Sequence, residues 1–474
     1  MAGILAYGAY LPQHRLDRRA IAETLGDGRG RGTRAVAGGD EDTTTLGVDA
    51  ARIALDGAPA DAPPSALYFA TTAPAYVDKT NATMIHAALA LAPGVSAVDV
   101  GGAVRSGAGA LRIGLRAAEP ALVVLADVRG GLPGSADERD GGDGAAAFLL
   151  TGGDGPVVAE YLGGAAATDE FLDRWRVPGR AASRRWGEQF GADIYRRLGL
   201  EALTDALIDA GVTLQDVDRL IVTGTNERAV TSLQRASGVP PEAIADDLMD
   251  TVGNTGTAHA GVLLAAALDE AAAGETIALV VLSDGAEAFV WRTTEELPLR
   301  RAARSVAAQA AAGRDGLPYG RFLAWRERLV TEPPRRLPPP PPVAPASYRD
   351  RAWKLRGQGS RCSECDTLHV PPQRVCRHCR AVDELSFERV VDRHGTVVNS
   401  TVDRLAWSPS PPAVFAVVDF DGGGRVECEM TDAAPETVVP GLRVGMSFRL
   451  MGTLDDIHNY LWKARPLAEV EEDH

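Results

Sequence analysis

The first 361 residues of this 474-residue chain contain no cysteine, so that stretch holds no thiol nucleophile, no disulfide and no cysteine-ligated metal. Lysine is nearly missing: Lys79, Lys354 and Lys463 are the whole complement, and arginine carries the rest of the positive charge. Basic side chains as a class are in deficit, 49 against 64 acidic ones for a formal net charge of −15. That balance argues against a protein whose main task is to hold polyanions, and no nucleic-acid partner is expected. No apolar run reaches the ~18 residues of a membrane span, and the opening MAGILAYGAYLPQHRL lacks a basic segment followed by a cleavable apolar core. A soluble, cytoplasmic protein with no membrane partner is the expectation. With 45% hydrophobic residues the chain can bury ordinary cores, and its length fits about three domains.

Between Glu332 and Pro345 the sequence EPPRRLPPPPPVAP suits neither a helix nor a sheet interior and reads as a stiff connector. The alanine- and arginine-bearing stretch before it, 300–330, reads as a polar helical bridging arm. After it Arg349, Arg351, Lys354, Arg356 and Arg361 outnumber Asp350, forming either a solvated linker or a phosphate-contacting strip. Upstream, short apolar runs alternate with alanine-rich helical ones, the pattern of an α/β protein with covered sheets. Strands are expected over 4–10, 67–71, 97–100, 122–126, 146–150, 220–223 and 277–282. Helices are expected near 44–55, 79–91, 105–117, 190–210 and 257–273. The second half loosely repeats the first, consistent with a duplicated unit.

The segment RCSECDTLHVPPQRVCRHCR holds two Cys-x-x-Cys pairs, Cys362/Cys365 and Cys376/Cys379. Each pair sits on a tight turn, and two such turns complete a tetrahedral four-sulfur site for structural Zn2+ with no open position. His369 and His378 are then neighbours of the site rather than ligands. Beyond it, about five short strands punctuated by SPSPP, GGG and PG indicate a small closed barrel of the OB type. Asp403, Asp419, Asp421, Glu427, Glu429 and Asp432 on its strands disfavour the nucleic-acid groove that such barrels often carry. Cys428 falls on an apolar alternation and is expected to be packed.

From Met1 to about Thr294 the chain resembles the 3-hydroxy-3-methylglutaryl-CoA synthases of the thiolase superfamily, particularly those of archaeal type. The residues that carry the resemblance are GILAYGAYLP, DEDTTTLGVDAAR, DVGGAVRSGAGAL, LADV, GDGAAAFLL and VGNTGTAHAG, in the right order through both halves. The C-terminal ribbon and barrel resemble the acyl-CoA-associated module that accompanies such proteins. The resemblance implies a duplicated αβαβα fold, a CoA thioester substrate, a homodimer and a possible partner thiolase or hydratase. The expected division is 1–298 thiolase-like, 299–347 helical arm and linker, 348–388 zinc ribbon, and 389–474 OB-fold barrel with an acidic tail.

The family's chemistry does not carry over intact. Its nucleophilic cysteine, at the start of a helix, falls on Val104; its general-base glutamate falls on Thr71 or Thr72, with Thr72 preferred. Its histidine falls within Val222 to Asn226, at Gly224, and only the asparagine of the Gly-Asn-Thr motif, Asn254, is retained. Asn254 is therefore the expected hydrogen-bond donor to a thioester or enolate oxygen. His259, five residues on, is the second catalytic candidate. Tyr76, Asp78, Lys79, Glu227 and Arg228 follow strand ends that border the expected cavity, while Asp143 reads as a turn residue before a strand. The resulting expectation is an enzyme making or breaking a carbon–carbon bond of an acyl-CoA without a covalent intermediate. The alternatives are a catalytically silent acyl-CoA binding or channelling subunit and a divergent acyltransferase.

Overall fold

The computed structural model describes residues 1–26, 30–330, 332 and 342–467. Most of the proline run and the acidic tail expected after the barrel lie outside the described residues. The chain forms two compact units. The first comprises Met1–Gly38, Asp42–Thr83 and Ala92–Val330; the second comprises Gly39–Glu41, Met84–Leu91 and Thr331–His474.

Nine strands build the sheet of the first unit: β1 (Gly3–Tyr10), β2 (Ala66–Thr71), β3 (Ser96–Gly101), β4 (Ala121–Val128), β5 (Asp143–Thr151), β6 (Ala159–Ala167), β7 (Arg219–Gly224), β8 (Thr276–Leu282) and β9 (Ala286–Thr293). Their order is β7-β8-β9-β6-β1-β5-β4-β2-β3. Each half repeats one scheme. In the first, β1 pairs antiparallel with β5, β5 antiparallel with β4, and β4 parallel with β2. In the second, β6, β9, β8 and β7 repeat those three pairings in the same senses. The halves join where Gly3 and Ile4 of β1 meet Glu160 and Ala159 of β6. The duplication expected from sequence is thus present in the topology.

Strands β4 (ALVVLADV) and β5 (DGAAAFLLT) read as continuous apolar runs rather than alternations, because both faces are covered. Helix α1 (Thr43–Asp56) begins in a reciprocal capping box between Asp42 and Thr45, which satisfies two backbone donors otherwise left open. Helices α2 (Arg105–Leu115) and α5 (His259–Glu270) contribute Ala108, Leu111, Val262, Leu264 and Leu268 to one core shared by both halves. Helices α3 (Glu188–Ala210) and α4 (Glu227–Ala236) cover the second half with a separate core that includes Leu203, Leu233 and Val280.

Two expectations change. The stretch 300–330, expected as a polar bridging arm, instead packs on the first unit: its short helix Tyr319–Trp325 buries Tyr319 and Phe322 against Leu16, Ile21 and Val36. Asp143 is more than a turn residue. It opens β5 fully buried, accepting hydrogen bonds from the Ala37 and Arg129 backbone amides and pairing with the Arg34 and Arg326 guanidiniums.

In the second unit, β10 (Gln358–Cys362) pairs with both β11 (Leu368–His369) and β12 (Leu385–Arg389) to make a small ribbon. Five further strands follow: β13 (Gly395–Asp403), β14 (Ala413–Phe420), β15 (Arg425–Glu429), β16 (Arg443–Leu454) and β17 (Ile457–Pro466). Their order is β15-β14-β13-β16-β17, and Met430, just past β15, bridges Ala464 of β17 to close the barrel. Phe448, Tyr460 and Trp462 fill its interior. Cys428 is packed, and burial pushes its thiol up to about 12. A buried ionic cluster completes the unit. Lys463 lies 3.0 Å from both Asp40 and Glu429, and Arg449 lies 3.2 Å from Glu41 and 3.0 Å from Asp432.

Candidate active site and metal centre

In the first unit the ends of β4 and β7, the short helix Ala136–Asp140 and the 247–259 segment enclose a cavity of about 170 Å³. Gly224, Asn254 and His259 line it, together with Arg129, Asp137 and Asp247. A second, tighter recess is lined by Val104, Thr223, Gly224, Asn254, Gly256 and Thr257 and is too small for a water molecule. Gly224 and Asn254 therefore face both spaces, and Val104 closes the inner one with a branched apolar side chain. The structure brings Val104, Gly224, Asn254 and His259 together, although 155 positions separate the first from the last in sequence.

Asn254 is held by its backbone and by its amide. Its N–H donates to the Asp140 carbonyl at 2.8 Å, and its carbonyl accepts from Gly142 at 2.9 Å. Its Oδ1 accepts from the Gly256 amide at 2.9 Å, and its Nδ2 donates to the Gly224 carbonyl at 2.9 Å. This fixes the carboxamide orientation and leaves a second Nδ2 hydrogen without a protein acceptor among the described residues.

Thr72 stands back from the cavity. Its amide and hydroxyl donate to Asp127 at 2.7 and 2.9 Å, and Arg129 reaches its hydroxyl at 3.2 Å. Asp127 is fully buried and also accepts from Thr71 Oγ1 and the Thr257 amide, tying the end of β2 to the turn that carries Asn254. Gly256 is required in that turn: with φ +60°, a Cβ there would lie 2.3 Å from Asp127 Oδ2. Gly224 is likewise confined, since a Cβ would lie 2.6 Å from the Leu282 carbonyl oxygen.

His259 is buried on the cavity wall. Its Nδ1 lies 3.3 Å from both the amide and the hydroxyl of Thr255. The amide can only donate, so Nδ1 accepts and Nε2 carries the proton, bonded toward the Asp247 backbone. Burial lowers its pKa to about 4, so the ring is neutral at pH 7. Because the folded pKa lies below the unfolded value of 6.5, the unfolded chain binds the extra proton first as pH falls. Stability should therefore drop by about 3 kcal/mol between roughly pH 6.5 and 4, and His259→Gln should flatten that segment of a melting-temperature profile. An unchanged profile would contradict a neutral buried imidazole.

Asp247 was not singled out by sequence. It lies in a DDLMD run that reads as an ordinary acidic loop, yet it lines the cavity, and its carboxylate accepts from the Met249 amide at 3.0 Å. Burial, reinforced by Asp246 and Asp250, raises its pKa. Asp137, by contrast, is clamped by Arg174 and Arg185 at 2.6 and 2.8 Å. Glu227 lines the cavity and Arg228 a neighbouring surface groove, whereas Tyr76, Asp78 and Lys79 line neither.

In the second unit the sulfurs of Cys362, Cys365, Cys376 and Cys379 all lie within 4.8 Å of one another. The Cys362–Cys379 and Cys365–Cys376 separations are 3.6 and 3.5 Å, close to the ~3.8 Å edge of a tetrahedron with ~2.3 Å zinc–sulfur bonds. His369 Nε2 approaches Cys376 at 3.4 Å, a neighbour of the cluster rather than one of the four. The donor set fits Zn2+. Of the basic residues after the connector, Arg361 pairs with Glu388 and Arg356 donates to the Ala90 carbonyl, so both are committed within the unit.

Comparison with known proteins defines the class first. Residues 207–292 match the 3-oxoacyl-[acyl-carrier-protein (ACP)] synthase III C-terminal model. Residues 359–385 match the ChsH2 rubredoxin-like zinc ribbon, and residues 388–449 its C-terminal OB-fold domain. The fold is shared with MvaS in complex with 3-hydroxy-3-methylglutaryl coenzyme A, at TM-score 0.57 and 20% identity over 72% of this chain and 94% of that one. It is shared too with 3-oxoacyl-[acyl-carrier-protein] synthase III from Aquifex aeolicus, at TM-score 0.52 and 23% identity over 62% and 100%. The protein is thus a thiolase-like domain fused to a zinc ribbon and an OB-fold domain. By sequence it belongs to the hydroxymethylglutaryl-CoA synthase family. The synthase of Thermococcus gammatolerans is 30% identical over 60% of this chain and 83% of its own length, and that of Methanopyrus kandleri 29% over 69% and 97%.

Proposed function

We propose that the chain binds an acyl-CoA thioester and makes or breaks the carbon–carbon bond alpha to its carbonyl, by an aldol or retro-aldol step without a covalent intermediate. The observation that carries this reading is Asn254, fixed between the two spaces with one amide hydrogen uncommitted; Val104, where the resemblance puts the family's nucleophile, lines the inner recess. In the cleavage direction a base takes the proton of a 3-hydroxyl group and the new carbonyl forms. The electrons of the breaking bond pass to the thioester enolate, whose oxygen accepts from Asn254, and Cα is then protonated. We assign the base to Asp247, the half-buried cavity carboxylate that pairs with no arginine among the described residues. His259, with both ring nitrogens engaged, positions the Asp247 backbone.

A panel of 3-hydroxyacyl-CoA thioesters with mass detection of products tests the reading. Asn254→Ala should lower kcat about 10²- to 10³-fold, the cost of one oxyanion donor. Binding without turnover across the panel would favour a silent acyl-CoA binding or channelling subunit, which the anchoring of Asn254 in its own turn also fits. The same proposal includes a homodimer built on β3. That strand ends the sheet and leaves Ser96 and Val98 exposed, an edge a second copy would pair.

A further inference from the structure

The segment 128–139 separates two cavities in the first unit. Arg129, Asp137 and Arg139 face the one described above, whereas Val128, Gly130, Gly131 and Glu138 face a second one of about 150 Å³. Arg176, Arg326 and Arg328 also line it, with Ala181 and Phe322. Such a volume holds about five waters at ~30 Å³ each, or one tetrahedral oxyanion with a water or two.

The polar groups of this space are unevenly satisfied. Arg326 pairs with Asp143 through Nη2, and Arg328 donates from Nη2 to the Ala181 carbonyl at 2.9 Å. The Nε–H of each is buried with no protein partner among the described residues. Glu138 accepts from the Gly134 amide at 2.7 Å and the Tyr319 hydroxyl at 2.8 Å, both on Oε2, and its Oε1 is buried without a donor. Of the charged groups that line the space, Arg176, Arg326 and Arg328 stand against Glu138, and Asp143 pairs with Arg326. The lining is therefore net cationic, with Arg176 exposed and Arg328 half-buried.

We propose that this second cavity binds hydrogen phosphate, HPO4 2−, independently of the cavity that Asn254 lines. An anion suits that cationic lining, and its bare oxygens accept from the two buried arginine Nε–H groups. Its single P–O–H donates to Glu138 Oε1. Sulfate matches in shape and charge but has no hydrogen to give, so its oxygen would oppose that carboxylate instead.

The test is calorimetric titration of the full chain at pH 7.5 with sodium phosphate and, separately, sodium sulfate at matched ionic strength. Phosphate is expected to bind saturably, with sulfate weaker by about tenfold or more, the loss of one charge-assisted hydrogen bond. Arg328→Gln and the exposed Arg176→Gln should each weaken phosphate by a similar factor, with their melting profiles confirming the fold. Absence of phosphate binding, equal affinity for sulfate, or undiminished affinity in both variants would overturn the proposal. The proposed acyl-CoA activity could fail entirely without affecting it.

Discussion

Zinc removal, or Cys376→Ser, is expected to unfold the ribbon around β10 to β12. The ribbon is small: β11 has only two residues, and Val375, Val382 and Phe387 are exposed rather than packed. What gathers the two Cys-x-x-Cys turns is the shared centre of four sulfurs. Without a metal, deprotonated thiolates at these separations repel one another, so folding and ligation are one event. Structural zinc contributes on the order of 10 kcal/mol in small domains of this kind, far more than the ribbon's own core could replace. Metal analysis of protein purified without chelator should return one zinc per chain. Hydrogen exchange after chelation should show protection lost first over 358–389. Zinc-free protein with undiminished protection there would refute the assignment.

The second large effect is Lys463→Met. Burial alone would depress the Lys463 ammonium, but Asp40 and Glu429 raise its pKa; burial would raise the Asp40 carboxyl, but Lys463 and Arg449 hold it low. Removing the cation takes the 3.0 Å ion pairs from Asp40 and Glu429 in a buried setting that also holds Glu41 and Asp432. Breaking a buried pair in this way costs about 3–5 kcal/mol. The deficit has a signature in pH. Losing Lys463 removes the first of the cations that hold the Asp40 carboxyl low, so its folded pKa rises, and the penalty is full at neutral pH and shrinks as acid protonates the carboxylate. Thermal melts of wild type and variant should therefore converge below about pH 5, and Asp40→Asn combined with Lys463→Met should recover part of the loss. A variant melting within a degree of wild type at pH 7 would show that the cluster is hydrated rather than buried.

How much of this was legible in the sequence depends on whether neighbours in space are neighbours in the chain. The four cysteines were readable because two short spacings define the whole site. Strands β4, β5 and β8 were readable because burial on both faces leaves unbroken apolar runs. Strand β6, AEYLGGAAA, was not, since its glycines and alanines lack β character: a Cβ at Gly164 would lie 2.5 Å from the Ala288 carbonyl, so small residues are chosen for fit. Asp247 and Asp127 were missed for a different reason. A carboxylate beside other carboxylates, or inside an apolar strand end, gives no local sign of the arginine it lacks or the four donors it gathers. The two buried Nε–H groups and Glu138 Oε1 are further still from sequence, because only three-dimensional accounting of hydrogen bonds reveals them.

Gly224 carries a consequence for descent. A Cβ there would lie 2.6 Å from the Leu282 carbonyl oxygen, so β7 and β8 leave no room for a side chain at that position. A lineage that once held a residue there could lose it in one step and then let the strands settle together, after which no single codon change restores it. The position behaves as a ratchet: saturation of codon 224 in a selected library should return glycine almost alone, and any recovered activity should come with compensating changes in β8 rather than by reversal.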